Sequence, residues 1–150
     1  MSDIVERVRY PESVDVVWAA LTSRVLVSEW MMPTPDYSAV AGHRFELHAP
    51  RIPGWDGVIH CEVLEVTPST RLVWSRRGSN MRAATRVSFT LAPDNEGTLL
   101  TLEHSGWSGL GGFLMSKMHR SGWAGKFLGR ELPRVLVKVR ATTSPQTLRQ

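Results

Sequence analysis

The chain reads as an α+β protein in which a six-stranded antiparallel sheet packs on one long C-terminal helix. Three observations carry that reading. Between Gly42 and Ser105, apolar residues recur at every second position in short runs separated by Pro, Gly, Asn and Asp, the signature of strands joined by tight turns. The stretch from Trp123 to Val139 changes to a helical period. A first strand and two short helices precede the repeating strands, so consecutive strands favour an antiparallel meander.

Each element has its own local cause. In DIVERVRY (residues 3–10), Ile4, Val8 and Tyr10 alternate with Arg7 and Arg9, and Pro11 ends the strand. In PESVDVVWAALTS, Val14, Val17, Trp18 and Leu21 lie at helical spacing, with Ser13 as cap and Asp15 in the first turn. Thr22 or Ser23 caps a second helix from Arg24 to about Met31, with Leu26, Val27 and Trp30 inward; Pro33 and Pro35 end it. RFELHA sets Phe45, Leu47 and Ala49 against Arg44, Glu46 and His48. PRIPGWDG is a loop by its Pro and Gly density. VIHCEVLEV is apolar on both faces and leaves its inward face open, and Pro68 closes it. RLVWSRR leads to a turn at Gly78-Ser79-Asn80, TRVSFTL alternates cleanly, and PDNEG is a turn. TLLTLEHS places Leu100, Leu102 and His104 on one face.

In the last helix, Trp123, Phe127, Leu128, Leu132, Val135, Leu136 and Val139 form one broad apolar stripe, and Lys126, Arg130, Arg134 and Lys138 occupy another face. Gly125 and Gly129 each weaken it by about 1 kcal/mol against alanine. Pro133 removes a backbone donor, which orphans the carbonyl of Gly129 and predicts a bend there. Phe127 is expected to be a core anchor. Residues 106–118, rich in Gly and apolar side chains, read as a movable lid. Residues 1–141 are expected to form a single domain, followed by a frayed polar tail at 142–150.

Composition narrows the class. Hydrophobic and charged contents of 42% and 21% in 150 residues are ordinary for a globular protein. No apolar run reaches the roughly 18 residues of a membrane span, and the N-terminus, with acidic residues and no long apolar core, is no secretory signal. A single cysteine, Cys61, excludes an internal disulfide and points to a cytoplasmic location. The net charge of +4 is mostly dispersed, so a nucleic-acid partner is not expected; the basic row of the last helix is the exception and reads as a solvated face, with an anionic partner as the alternative. A homodimer is compatible with all of this.

Specific segments carry a resemblance. VVWAALTSRVLVSEWM, AGHRFEL, CEVLEVTPSTRLVWSRR and GTLLTLEHSGW, in that order, resemble the helix pair, glycine turn, central hairpin and last strand of homologues of the activator of the 90-kDa heat-shock protein ATPase. That family lies in the START-like (SRPBCC) superfamily. The resemblance covers residues 4 to about 107, and Trp123 onward matches the final helix. It implies a helix-grip fold, a curved six-stranded sheet wrapped around the C-terminal helix with a cavity between them. The superfamily includes lipid carriers, plant hormone and pollen-allergen proteins, polyketide cyclases and aromatases, and chaperone activators. His43 departs from the pattern, standing where the family often has a second glycine.

In that implied fold the ligand-binding candidates are Trp30, Phe45, Leu47, Trp74, Phe89, Leu102, His104, Phe113, Trp123 and Phe127. Each also suits a solid core, since large rings fill interiors as well as line pockets. His104 is the polar residue on the inward face and needs a partner, either a structural one or a ligand; in an enzyme it would be the general base. Arg76, Arg77, Arg82 and Arg86 flank one hairpin, either as a solvated edge or as a receptor for an acidic group. No metal, nucleophile or phosphate-loop motif is present: His60 and Cys61 point to opposite strand faces, and G-x-S-x-G and C-x-x-C are missing. Neither a cofactor nor a catalytic residue is expected. The leading expectation is a binder of a small hydrophobic molecule. A polyketide cyclase- or aromatase-like enzyme and a chaperone-interacting module are the alternatives.

Overall fold

The computed structural model describes residues 4–79, 81–107 and 119–142. Strand β1 (Ile4–Tyr10) is followed by helices α1 (Val14–Thr22) and α2 (Arg24–Trp30). Strands β2 (Arg44–His48), β3 (Val58–Thr67), β4 (Arg71–Gly78), β5 (Thr85–Asp94) and β6 (Gly97–Ser105) come next. The last described elements are a π-helical segment (Gly122–Glu131) that runs directly into α3 (Leu132–Thr142). The sheet order is β1-β6-β5-β4-β3-β2 and every pairing is antiparallel, a meander whose last strand returns to the first. This is the helix-grip fold.

The short helices begin where hydroxyl caps permit. Ser13 Oγ accepts from the Val16 amide at 3.5 Å, and Ser23 Oγ accepts from the Leu26 amide at 3.3 Å. Their apolar faces bury Val17, Ala20, Leu21, Val27 and Trp30, and α3 packs across both helices. Strand β5 extends past the expected turn. Pro93 lies within the ladder opposite Thr98, and the reversal is made by Asn95 and Glu96 alone. A side chain at Gly97 would collide with the Tyr10 carbonyl. Glycine therefore lets β1 approach the β5–β6 turn.

The inward face of β3 is Ile59, Cys61 and Val63. A bulge between Val63 and Glu65 shifts the phase and leaves Leu64 40% exposed. That shift explains a strand with apolar residues on both faces.

The final helix departs from the expected α-geometry. The Leu132 amide donates to the Phe127 carbonyl, five residues back. In that register the carbonyl that meets proline is Leu128's, not Gly129's. Its missing partner is supplied from β1, where the buried Tyr10 hydroxyl donates to Leu128 O at 2.7 Å. Gly129 is required for a different reason: a Cβ there would strike the Ala124 carbonyl. The apolar stripe is otherwise as expected, with Trp123, Leu128, Leu132, Val135, Leu136 and Val139 buried. Phe127, however, is only partly buried against the core, a correction to its expected role as anchor.

The basic row lies largely beside acids. Arg130 and Arg134 meet Glu131 at 3.2 and 3.0 Å, and Lys138 meets Glu29 at 2.6 Å. No described helix is long and apolar enough to cross a membrane.

Candidate functional site

The interior has a solid end and a hollow end. At the solid end the aromatic rings form a continuous edge-to-face series. Tyr37 meets Phe45 at 4.8 Å, Phe45 meets Trp74 at 5.2 Å, Trp74 meets Phe89 at 5.0 Å, and Phe89 meets Trp123 at 6.1 Å. Trp30 stands edge-on to Phe89 and donates its indole N–H to Ala20 O at 2.8 Å. Phe45, Leu47, Trp74, Phe89, Leu102 and Trp30 are all buried here. The structure thus places six of the expected pocket residues in packing, away from the open space.

The open space lies at the other end, between β3–β6, the 49–55 loop and the π-segment. It is a cavity of about 460 Å³. Of the expected residues, His104, Trp123 and Phe127 line it; Phe113 lies outside the described residues, as does most of the expected lid. Trp107, from the expected lid segment, also lines it, as do Met32, Ile52, Trp55 and Met81, which were not singled out from the sequence. Ile52 and Trp55 are paired across a tight turn in the PRIPGWDG loop, and Ile52 is 54% exposed at the rim. Loop aromatics have no period to betray them, so pattern reading passes over such residues.

The polar part of the site is a relay built by strand register. Arg76 on β4 stands opposite Cys61 on β3 and Thr85 on β5. The Thr85 hydroxyl donates to the Arg76 carbonyl at 3.2 Å, and lies 2.7 Å from His104 Nε2. The Trp123 indole N–H points at His104 Nδ1 at 3.1 Å. An indole nitrogen only donates, so Nδ1 accepts and Nε2 carries the proton given to Thr85. His104 is therefore a neutral imidazole with both nitrogens engaged. Burial, with help from the nearby Arg76 cation and His119, lowers its pKa to about 2. Rings of Trp107 and His119 close round it, with centroids 4.5 and 5.7 Å from that of His104.

Arg76 is the group that sequence reading left among four hairpin arginines. It is 4% exposed and lines the cavity, and its Cζ sits 5.3 Å from the centre of the Trp123 ring. Cys61 opposite it is a buried thiol whose pKa is raised to about 12, chiefly by burial. Strand alternation held the signal, because Arg76 lies two residues from Trp74 and shares its inward face.

Sheet, gripped helix and a cavity between them define a helix-grip protein of the START-like kind. Residues 12–136 match the family described as Activator of Hsp90 ATPase homolog 1-like protein, and the chain belongs to it. Among solved structures, protein MLL2253 from Mesorhizobium loti is 29% identical, with a TM-score of 0.78 over 91% of this chain and 98% of that one. CalU16 from Micromonospora echinospora is 26% identical, with a TM-score of 0.69 over 98% of this chain and 80% of that one. The Aha1 dimer from Colwellia psychrerythraea is 24% identical, with a TM-score of 0.68 over 87% and 94%, a likeness of fold alone. A comparison with curated proteins finds no match.

Proposed function

We propose that this protein binds a small, largely apolar molecule in the cavity between sheet and final helix, without covalent chemistry of its own. The observation that carries this is the cavity itself. At about 460 Å³, walled by Trp55, Ile59, Met81, Trp107, Trp123 and Phe127, it falls within the range of ligand sites, roughly 300–1,000 Å³. A module acting only through its outer surface has no use for such a void. A cyclase-type enzyme needs a group that exchanges protons near neutral pH. His104 does not serve, since Trp123 and Thr85 hold it as the neutral ring. The binding unit is residues 1–141.

The test uses N-phenyl-1-naphthylamine, a neutral apolar dye. It should bind with one-to-one stoichiometry, quench tryptophan emission and be displaced by any molecule found co-purifying in native mass spectrometry. A chain ending at residue 141 should bind it equally. Failure to bind at high micromolar dye would overturn the reading and favour a surface-acting module.

A further inference from the structure

Arg76 carries the inference. Its guanidinium is a permanent cation, buried to 4% exposure in the wall of the cavity. Its Nε is enclosed with no hydrogen-bond partner. Among the described residues it has no carboxylate partner, and no Asp or Glu lines the cavity. The sequence between Trp107 and His119 contains neither Asp nor Glu. The ionisable group opposite it, Cys61, is a protonated thiol, and His104 is neutral. The Trp123 ring faces the cation, but a ring supplies only a weak counterpart to a full charge. Burying an unpaired charge is among the costliest arrangements a fold contains, and among the described residues no carboxylate meets this one, so a bound anion would compensate it.

The remaining polarity of the wall has the same sense. Trp107, also lining the cavity, has an indole N–H enclosed without an acceptor. His104 spends both nitrogens within the protein. Both side chains that line the cavity and carry an unmatched polar atom thus carry donors. A guanidinium fork matches the two oxygens of a carboxylate.

We propose, resting on the apolar-cavity reading above, that the ligand is an apolar molecule carrying one carboxylate, which pairs with Arg76 while its body lies against Trp55, Trp107, Trp123 and Phe127.

The experiment displaces bound N-phenyl-1-naphthylamine with two molecules of one skeleton, 1-naphthaleneacetate and 1-naphthaleneethanol. The wild type should prefer the acid by at least about tenfold, as expected for a desolvated charge pair. Arg76→Met should abolish that preference while still binding the neutral dye. A preference below about twofold in the wild type would overturn the proposal, and so would one that Arg76→Met leaves intact. In either case the apolar reading stands, because the dye still binds. If the dye does not bind the wild type, the apolar reading fails first. Should Arg76→Met not fold, the wild-type preference decides, with Arg76→Lys expected to keep part of it.

Discussion

His104 shows how one side chain's partners decide its chemistry. An imidazole with a donor on Nδ1 and an acceptor on Nε2 has no lone pair left for a substrate proton. Its folded-state pKa of about 2 lies below the ordinary histidine value of 6.5. The unfolded chain therefore binds a proton that the folded one refuses. The stability this group contributes is complete above pH 6.5 and declines as pH falls from there toward 2, by up to about 1.4 kcal/mol per pH unit. Urea unfolding at pH 7.5, 5.5 and 4.5 should give a smaller acid loss for His104→Gln than for the wild type. Equal losses would mean that His104 is not held neutral.

The π-segment illustrates how an element adapts to a residue it should not tolerate. Pro133 within a helix leaves one carbonyl without a donor. The wider register moves that carbonyl to Leu128, where the Tyr10 hydroxyl reaches it at 2.7 Å. A β1 side chain thus ties the first strand to the last helix at a buried point. Removing it with Tyr10→Phe leaves the carbonyl unsatisfied and should cost about 1–3 kcal/mol. Pro133→Ala restores a backbone donor, so Tyr10→Phe should cost less in that background. A double-mutant cycle read by chemical unfolding gives the coupling; strict additivity would show that the two groups serve different carbonyls.

Across the protein, packed rings and open space occupy opposite ends of one interior. The ring series from Tyr37 to Phe89 is packed edge to face, whereas Phe127 borders open space. Phe89→Ala should cost about 3–5 kcal/mol, the usual loss for a filled aromatic site. Phe127→Ala should cost roughly half as much or less, because its ring is only partly buried and leaves little new cavity. Its effect should appear instead in affinity for the neutral dye. Urea midpoints for the two variants, beside dye titrations, separate packing from binding.

Period and punctuation in the chain were enough for the six strands, the two capped helices and the apolar stripe of the last helix. These follow from local rules: alternation every second residue, hydroxyls before helices, proline after them. They also place His104 inward, since Leu100 and Leu102 share its face. Local rules do not say which buried rings touch each other and which face a void. That depends on how far the last helix stands from the sheet, and so Trp74 and Phe89 became packing while Trp55 and Met81 became wall. Nor do they show that Arg76 lacks a carboxylate among the described residues. Its inward direction was readable beside Trp74, but the absence of a carboxylate around it among the described residues emerges only when β3, β5 and the π-segment are brought together in space. Charge compensation is a property of neighbours distant in sequence, and folding selects those neighbours.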